Sequence, residues 1–207
     1  MKLVGEFNIV VTGVGGQGVL TLSRVIAVWA LKSGYKVRVG ETLGMAQRGG
    51  IVQSYVRLGS DVESPLIEVG GADVLIALDY IEALRALGFL SGKSKVIVNS
   101  RTITPISVLL GVERMPSFIE ALGALRSSAG EVYVFDASSI ATKVGLPASI
   151  NMAMLGAFTS LFRDLVDREL MLDAIREVIA GRFMEQNLKA FELGFKAIES
   201  SKNAFAN

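Results

Sequence analysis

The chain has 207 residues, 51% of them hydrophobic, with 21 basic against 20 acidic side chains and neither cysteine nor histidine. That length can bury a substantial core, and the near-neutral charge, with no basic cluster interleaved with aromatics, excludes the electrostatic footprint of a nucleic-acid binder. The two missing residue types exclude disulfides, thiol nucleophiles, iron–sulfur ligation, Cys/His zinc sites and histidine acid–base chemistry, which leaves carboxylates, lysines, tyrosines and hydroxyls for any proton transfer.

Met1 to Glu6 lacks the basic region and apolar core of a secretory signal, so the expected location is the cytoplasm. Phe7 to Val11 reads as a buried strand that breaks at once into glycines, and Leu20, Val25, Ile26, Trp29 and Ala30 then recur with the spacing of one helix face. Gly13, Gly15 and Gly18, with Gly16 and Gln17 among them, therefore occupy a strand-to-helix turn. Such a turn permits close backbone approach and leaves the first N–H groups of the helix facing outward, a fit for a phosphate or carboxylate. The same glycines also suit a turn that merely packs a helix tightly on a sheet. A dinucleotide site adds an acid about twenty residues on, and Glu41, after Val37 and Val39, is an approximate candidate.

The first helix ends near Gly34, and Lys36 to Gly40 forms a second strand. Residues 42–50, TLGMAQRGG, lead into the alternation Ile51, Val52, Tyr55, Val56, Leu58 of a third. A parallel crossover needs a dozen or more residues, so strands two and three are expected to be antiparallel or to lie in different parts of the sheet. Met45, Gln47 and Arg48, followed by Gly49 and Gly50, supply a soft apolar contact, an amide and a forked cation suited to a phosphate or carboxylate. A surface turn with a solvated arginine is the plainer reading.

Asp73 to Leu78 is a fourth strand ending at Asp79, Ile81 to Leu87 is helical, and Lys93 to Ser100 is a fifth strand with Asn99 at its end. Polar residues at the carboxyl ends of parallel strands stand where open sheets bind ligands, although helix capping is their ordinary use. Thr102 to Pro116 contains two prolines and has no assigned element; Ser117 to Leu125 is a helix and Val132 to Phe135 a sixth strand, ending in Asp136. From Ser138 onward the pattern predicts three helices, punctuated by Pro147 and Gly181. Ile150 to Val166, interrupted by Asn151 and closed by Arg163 and Asp164, falls short of the roughly 20 apolar residues of a membrane span. Its apolar surface is too broad for a helix lying on water, which predicts burial. The last helix, Met184 to Ser200, carries Leu188, Phe191 and Phe195 on one face. These elements predict an α/β fold in three layers, α/β/α, around a mostly parallel but mixed sheet. It has a Rossmann-like start and a helical C-terminal third, all within one domain over residues 1–207. No residue stands out as catalytic or as a metal ligand.

Five segments resemble one family in order and spacing: GVGGQGVLTLSRVIA from Gly13, GMAQRGG over residues 44–50, VFDA ending at Ala137, NMAMLG over 151–156 and NLKAFELG over 187–194. The chain resembles the small, gamma-type subunit of the 2-oxoacid:ferredoxin oxidoreductases, and GMAQRGG looks most like the beta subunit of the indolepyruvate branch. The resemblance implies a complex that oxidatively decarboxylates an arylpyruvate, joins the acyl group to coenzyme A and passes electrons to ferredoxin. It implies a larger partner carrying thiamine diphosphate and iron–sulfur clusters, with no cofactor held by this chain alone. Gly13, Gly15, Gly16, Gln17 and Gly18 are expected to form one anion-binding corner with Met45, Gln47, Arg48, Gly49 and Gly50, for a phosphate of coenzyme A or a partner carboxylate. The gamma subunit of a pyruvate or 2-oxoglutarate enzyme and a free-standing nucleotide-binding protein are the alternatives.

Overall fold

The computed structural model describes residues 5–43, 50–179 and 181–204. Six strands form one sheet in the order β2-β3-β1-β4-β5-β6: β1 (Glu6–Val14), β2 (Lys36–Leu43), β3 (Ile51–Gly59), β4 (Val74–Ala77), β5 (Lys95–Asn99) and β6 (Glu131–Phe135). β1, β4, β5 and β6 are mutually parallel, whereas β3 runs antiparallel to both β1 and β2. The antiparallel pairing of β2 and β3 agrees with a connection too short for a parallel crossover, and β3 lies between β2 and β1.

The central strands read as continuous apolar runs because both of their faces are covered. Ile9, Val11, Ile76 and Ile97 pack on one side with α1 (Val19–Lys32), α6 (Ile150–Leu161), α7 (Arg168–Val178) and α8 (Met184–Ala204). Their sequence neighbours Val10, Leu75, Ala77, Val96 and Val98 pack on the other with α2 (Tyr80–Arg85) and α4 (Phe118–Ser128). The period-two alternation thus builds three layers. The remaining helices are α3 (Ile106–Leu109), in the stretch the sequence left unassigned, and α5 (Ala137–Lys143).

The C-terminal third contains four α-helices where the periodicity predicted three. The extra one, α7, starts because the Asp167 carboxylate accepts the Leu170 N–H at 3.0 Å. That is an N-cap inside what reads as a continuous helical stretch. The sequence expectation for α6 holds, since every residue from Ile150 to Leu161 is buried. Among the described residues no helix is long and apolar enough to cross a membrane.

Candidate functional site

α1 leaves β1 toward one face of the sheet and α2 leaves β4 toward the other, so the carboxyl ends of these neighbouring strands bound the topological switch point. In open α/β sheets that crevice is where ligands collect. The glycine turn forms one wall. Gly18, left-handed at φ 85°, precedes α1 without any side-chain cap, and a Cβ at Gly18 would overlap the Asn151 carboxamide. Asn151, on α6, donates to the Gly18 carbonyl at 3.3 Å. A Cβ at Gly13 would stand 2.8 Å from Gln17 Oε1 and 2.9 Å from Val19 Cγ2.

Much of the turn's hydrogen bonding is spent internally. Gln17 folds its side chain back to accept the Val14 N–H at 2.8 Å, and its own N–H reaches the Val14 carbonyl at 3.0 Å. The Gly15 N–H donates to the Gly50 carbonyl at 2.8 Å. That bond fastens the glycine turn to the return of the 44–50 loop, as the Val14 to Ile51 register of β1 and β3 requires. Gly16 has φ 101° and open space where a Cβ would point, so it presents the accessible backbone of the turn. Met45, Gln47, Arg48 and Gly49 lie outside the described residues; Gly50, beside Gly15, is the described residue of that loop.

Glu41 does not complete a dinucleotide site. It stands opposite Ser54 on β3, which is itself level with Val11 of β1. With β3 inserted between β1 and β2, Glu41 is two strand spacings, roughly 10 Å, from β1, and it is not at a strand end. A ribose acid belongs at the end of a strand adjacent to the glycine turn.

The other wall is a buried polar network. Asp79, fully buried, accepts the Ile81 N–H at 2.8 Å and the Thr102 hydroxyl at 2.7 Å through Oδ1, and the Ile103 N–H at 2.8 Å through Oδ2. It caps α2 and at the same time ties down the chain leaving β5. Asn99 does more than the helix cap its residue type suggests: its amide donates to the Leu78 carbonyl and the Ser138 hydroxyl, both at 3.0 Å, and its oxygen accepts the Ala137 N–H at 3.0 Å. It stitches the end of β4 to the start of α5. Asp136 accepts the Ser139 N–H and pairs with Arg101, both at 2.8 Å. Thr102, Ser138 and Arg101 carried no sequence signal, because they act through tertiary neighbours more than twenty residues away.

Glu82 is the least satisfied member of this edge. It is buried, its Oε2 has no hydrogen-bond partner, and Oε1 lies 3.5 Å from Arg85 Nε. Burial pushes its carboxyl above the ordinary value of 4.5, with Arg85 opposing and Asp79 reinforcing the shift. A carboxyl whose folded pKa is raised favours the fold while protonated and loses that contribution as pH rises from the unfolded value through the folded one. Glu82→Gln is therefore expected to raise Tm by a few degrees at pH 7 and much less near pH 4.5; equal gaps in thermal melts at the two pH values would contradict this.

Asp79 has its oxygens engaged, and among the described residues no group of three or more His, Cys, Asp or Glu could hold a metal ion. What the edge offers is a backbone cradle at Gly16 and a rigid polar rim, suited to binding and positioning.

The family model for pyruvate ferredoxin/flavodoxin oxidoreductase matches residues 8–197. A protein of Archaeoglobus fulgidus named indolepyruvate oxidoreductase subunit IorB is 43% identical, over 95% of this chain and 98% of its own length. A Thermococcus kodakarensis protein named pyruvate/ketoisovalerate oxidoreductases common subunit gamma is 30% identical over 88% of this chain and 92% of its own. Among solved structures, the gamma subunit of a keto/oxoacid ferredoxin oxidoreductase from Geobacter sulfurreducens shares the fold, with a TM-score of 0.68 at 22% identity over 94% of this chain and 99% of that one.

Proposed function

This chain belongs to the pyruvate ferredoxin/flavodoxin oxidoreductase family, and we propose that it is the small, non-catalytic subunit of a complex that acts on indolepyruvate or a related arylpyruvate. That it is a small subunit of a 2-oxoacid:ferredoxin oxidoreductase follows from its relatives and its fold. The observation that carries the arylpyruvate reading is the 43% identity, over nearly full length, to a subunit named for indolepyruvate, against 30% to the pyruvate/ketoisovalerate gamma subunit. The GMAQRGG segment points the same way. The free-standing nucleotide-binding alternative is disfavoured by the displacement of Glu41.

The division of labour is what the family resemblance implies, and the composition agrees with it. A chain without cysteine or histidine cannot ligate an iron–sulfur cluster. Thiamine diphosphate and the clusters belong to the larger subunit, where the oxoacid loses carbon dioxide, the acyl group passes to coenzyme A and the electrons go to ferredoxin. The whole chain acts as one gamma-type domain, in the cytoplasm. Its own contribution is the anion corner: Gly16 and the start of α1, shaped by Gly13, Gly15, Gln17 and Gly18, with Met45, Gln47, Arg48, Gly49 and Gly50 alongside. A phosphate of coenzyme A or a partner carboxylate fits the open backbone at Gly16. The bond between Gly15 and Gly50 supports the shared corner, because it joins the two segments.

The test is kcat/KM of the reconstituted complex across indolepyruvate, phenylpyruvate, pyruvate and 2-oxoglutarate. The aryl acids are expected to lead by at least about tenfold, a difference of ~1.4 kcal/mol; a preference for 2-oxoglutarate would move the protein to another branch of the family. In the same assay Arg48→Lys is expected to raise the KM for coenzyme A about tenfold, the loss of one charge-assisted hydrogen bond. An unchanged KM with intact assembly would leave the glycines a packing role only.

A further inference from the structure

The segment NMAMLG opens with Asn151, a polar residue in a helix that buries every one of its residues. Polar groups placed so deeply are bonded or costly. Asn151 engages both ends of its carboxamide: Oδ1 accepts the Met152 N–H at 2.8 Å, and Nδ2 donates to the Gly18 carbonyl at 3.3 Å, across 133 residues of chain. The second contact requires a glycine, since a Cβ at position 18 would overlap the Asn151 amide. Two of the segments that carry the family resemblance, the glycine turn and NMAMLG, therefore meet at one hydrogen bond.

The Gly18 carbonyl and the Val19 N–H belong to one trans peptide, which is planar, with its oxygen and hydrogen pointing in opposite directions. Fixing the carbonyl therefore fixes the N–H. Val19 opens α1, and the first N–H groups of a helix have no partner within it. An ordinary side-chain cap would order this turn by accepting from those donors, as Asp79 accepts the Ile81 N–H at the start of α2. Asn151 restrains the turn from the acceptor side instead. It takes the lone pair of the Gly18 carbonyl not used by the Leu22 N–H, at 3.0 Å, and leaves the donors of α1 unspent. Its mount is rigid, because α6 meets α8 in backbone contact, where a Cβ at Gly156 would overlap the Phe191 carbonyl.

We infer that Asn151 is the positioning residue of the anion corner: acting through the Gly18 peptide, it sets the direction in which the opening N–H groups of α1 meet an oxyanion. The inference rests on the reading of the glycine turn as an oxyanion site. Gly18, at φ 85°, is the point of the turn with the least intrinsic restraint, so a contact there decides how the helix start is aimed. A buried helix, not a local cap, holds that aim, and the donors stay available to a phosphate or carboxylate.

The experiment uses the full chain, free and reconstituted with the larger subunit. Asn151→Ala removes the amide, and Asn151→Asp keeps its shape but sets an acceptor oxygen against the Gly18 carbonyl. Thr159→Ala is the control for lost packing: Thr159 is fully buried about two turns along the same helix, and its hydroxyl donates to the Leu155 carbonyl at 2.9 Å. Both Asn151 variants are expected to raise the KM for coenzyme A about fivefold with kcat little changed, the effect of one ordinary hydrogen bond, and to shift the Val19 and Leu20 amide resonances of the free chain. Thr159→Ala should do neither at a comparable fall in Tm. If the oxyanion is a partner carboxylate, the same loss is read in affinity for the larger subunit, with KM unmoved. Wild-type KM and affinity in both Asn151 variants would overturn the inference, as would equal effects from Thr159→Ala. Arg48→Lys measured alongside separates the two readings. An effect there with none in the Asn151 variants removes the positioning role alone, whereas no effect in any of the three removes the anion corner and the inference with it.

Discussion

Gly156→Ala and Gly194→Ala are each expected to destabilise the fold by about 3 kcal/mol or more, the upper end of overpacking effects. Helix propensity alone predicts the opposite sign, because alanine is better than glycine in a helix interior by roughly 1 kcal/mol. Packing decides the outcome. A Cβ at Gly156 would overlap the Phe191 carbonyl and reach 2.8 Å from the Phe195 N, and one at Gly194 would overlap the Ala153 carbonyl. α6 and α8 thus cross in backbone contact at two glycines, and neither backbone can yield without separating the helices. Gly123, mid-way along α4, is the control: nothing stands within 4 Å of its Cβ position, so Gly123→Ala should stabilise by roughly 0.5 to 1 kcal/mol. Denaturant unfolding of the three variants separates the two effects by sign. A Gly156→Ala variant as stable as Gly123→Ala would show that the helices do not approach as described.

Asp79→Ala carries the second large expected loss, about 3 to 4 kcal/mol. The substitution removes the N-cap of α2, worth ~1 kcal/mol, and strands the half-buried donors of Thr102 and Ile103, at about 1 to 3 kcal/mol each before water and relaxation recover part of it. For a chain of this size that corresponds to a fall in Tm on the order of 10 °C. Asp79→Asn keeps one acceptor oxygen and should lose roughly half as much. Because Asp79 holds the segment leading into α3, Asp79→Ala should also raise amide exchange around residues 102–110 beyond the global loss. Uniform exchange across the fold would contradict the tether.

These two sites show how far the sequence was readable. The core strands declared themselves as apolar runs, since strands buried on both faces need no polar alternation, and the switch into helices was marked by glycine or by Asp79 and Asp136 at their ends. The antiparallel relation of β2 and β3 followed from a connection too short to cross over. That β3 would lie beside β1 was not readable, because strand order depends on which edge is left open once the helices pack. Glu41 was misplaced for the same reason. The motif glycines Gly156 and Gly194 were visible in the segments NMAMLG and NLKAFELG, yet their pairing is a contact between helices far apart in the chain. Asp167 caps α7 within an unbroken helical pattern, a local hydrogen bond that periodicity does not register. Of the candidate corner, the glycine turn was legible from spacing, while the inward bonds of Gln17 and Gly15 emerged only from the folded geometry.

The central claim is that this chain supplies binding and position while a second chain supplies the redox chemistry. Its most direct test is viologen reduction driven by oxoacid and coenzyme A, measured for the purified chain alone and after reconstitution with the larger, cysteine-rich subunit. The expected result is no turnover by the chain alone and oxoacid-dependent reduction by the pair. Dye reduction by the single chain would contradict the account.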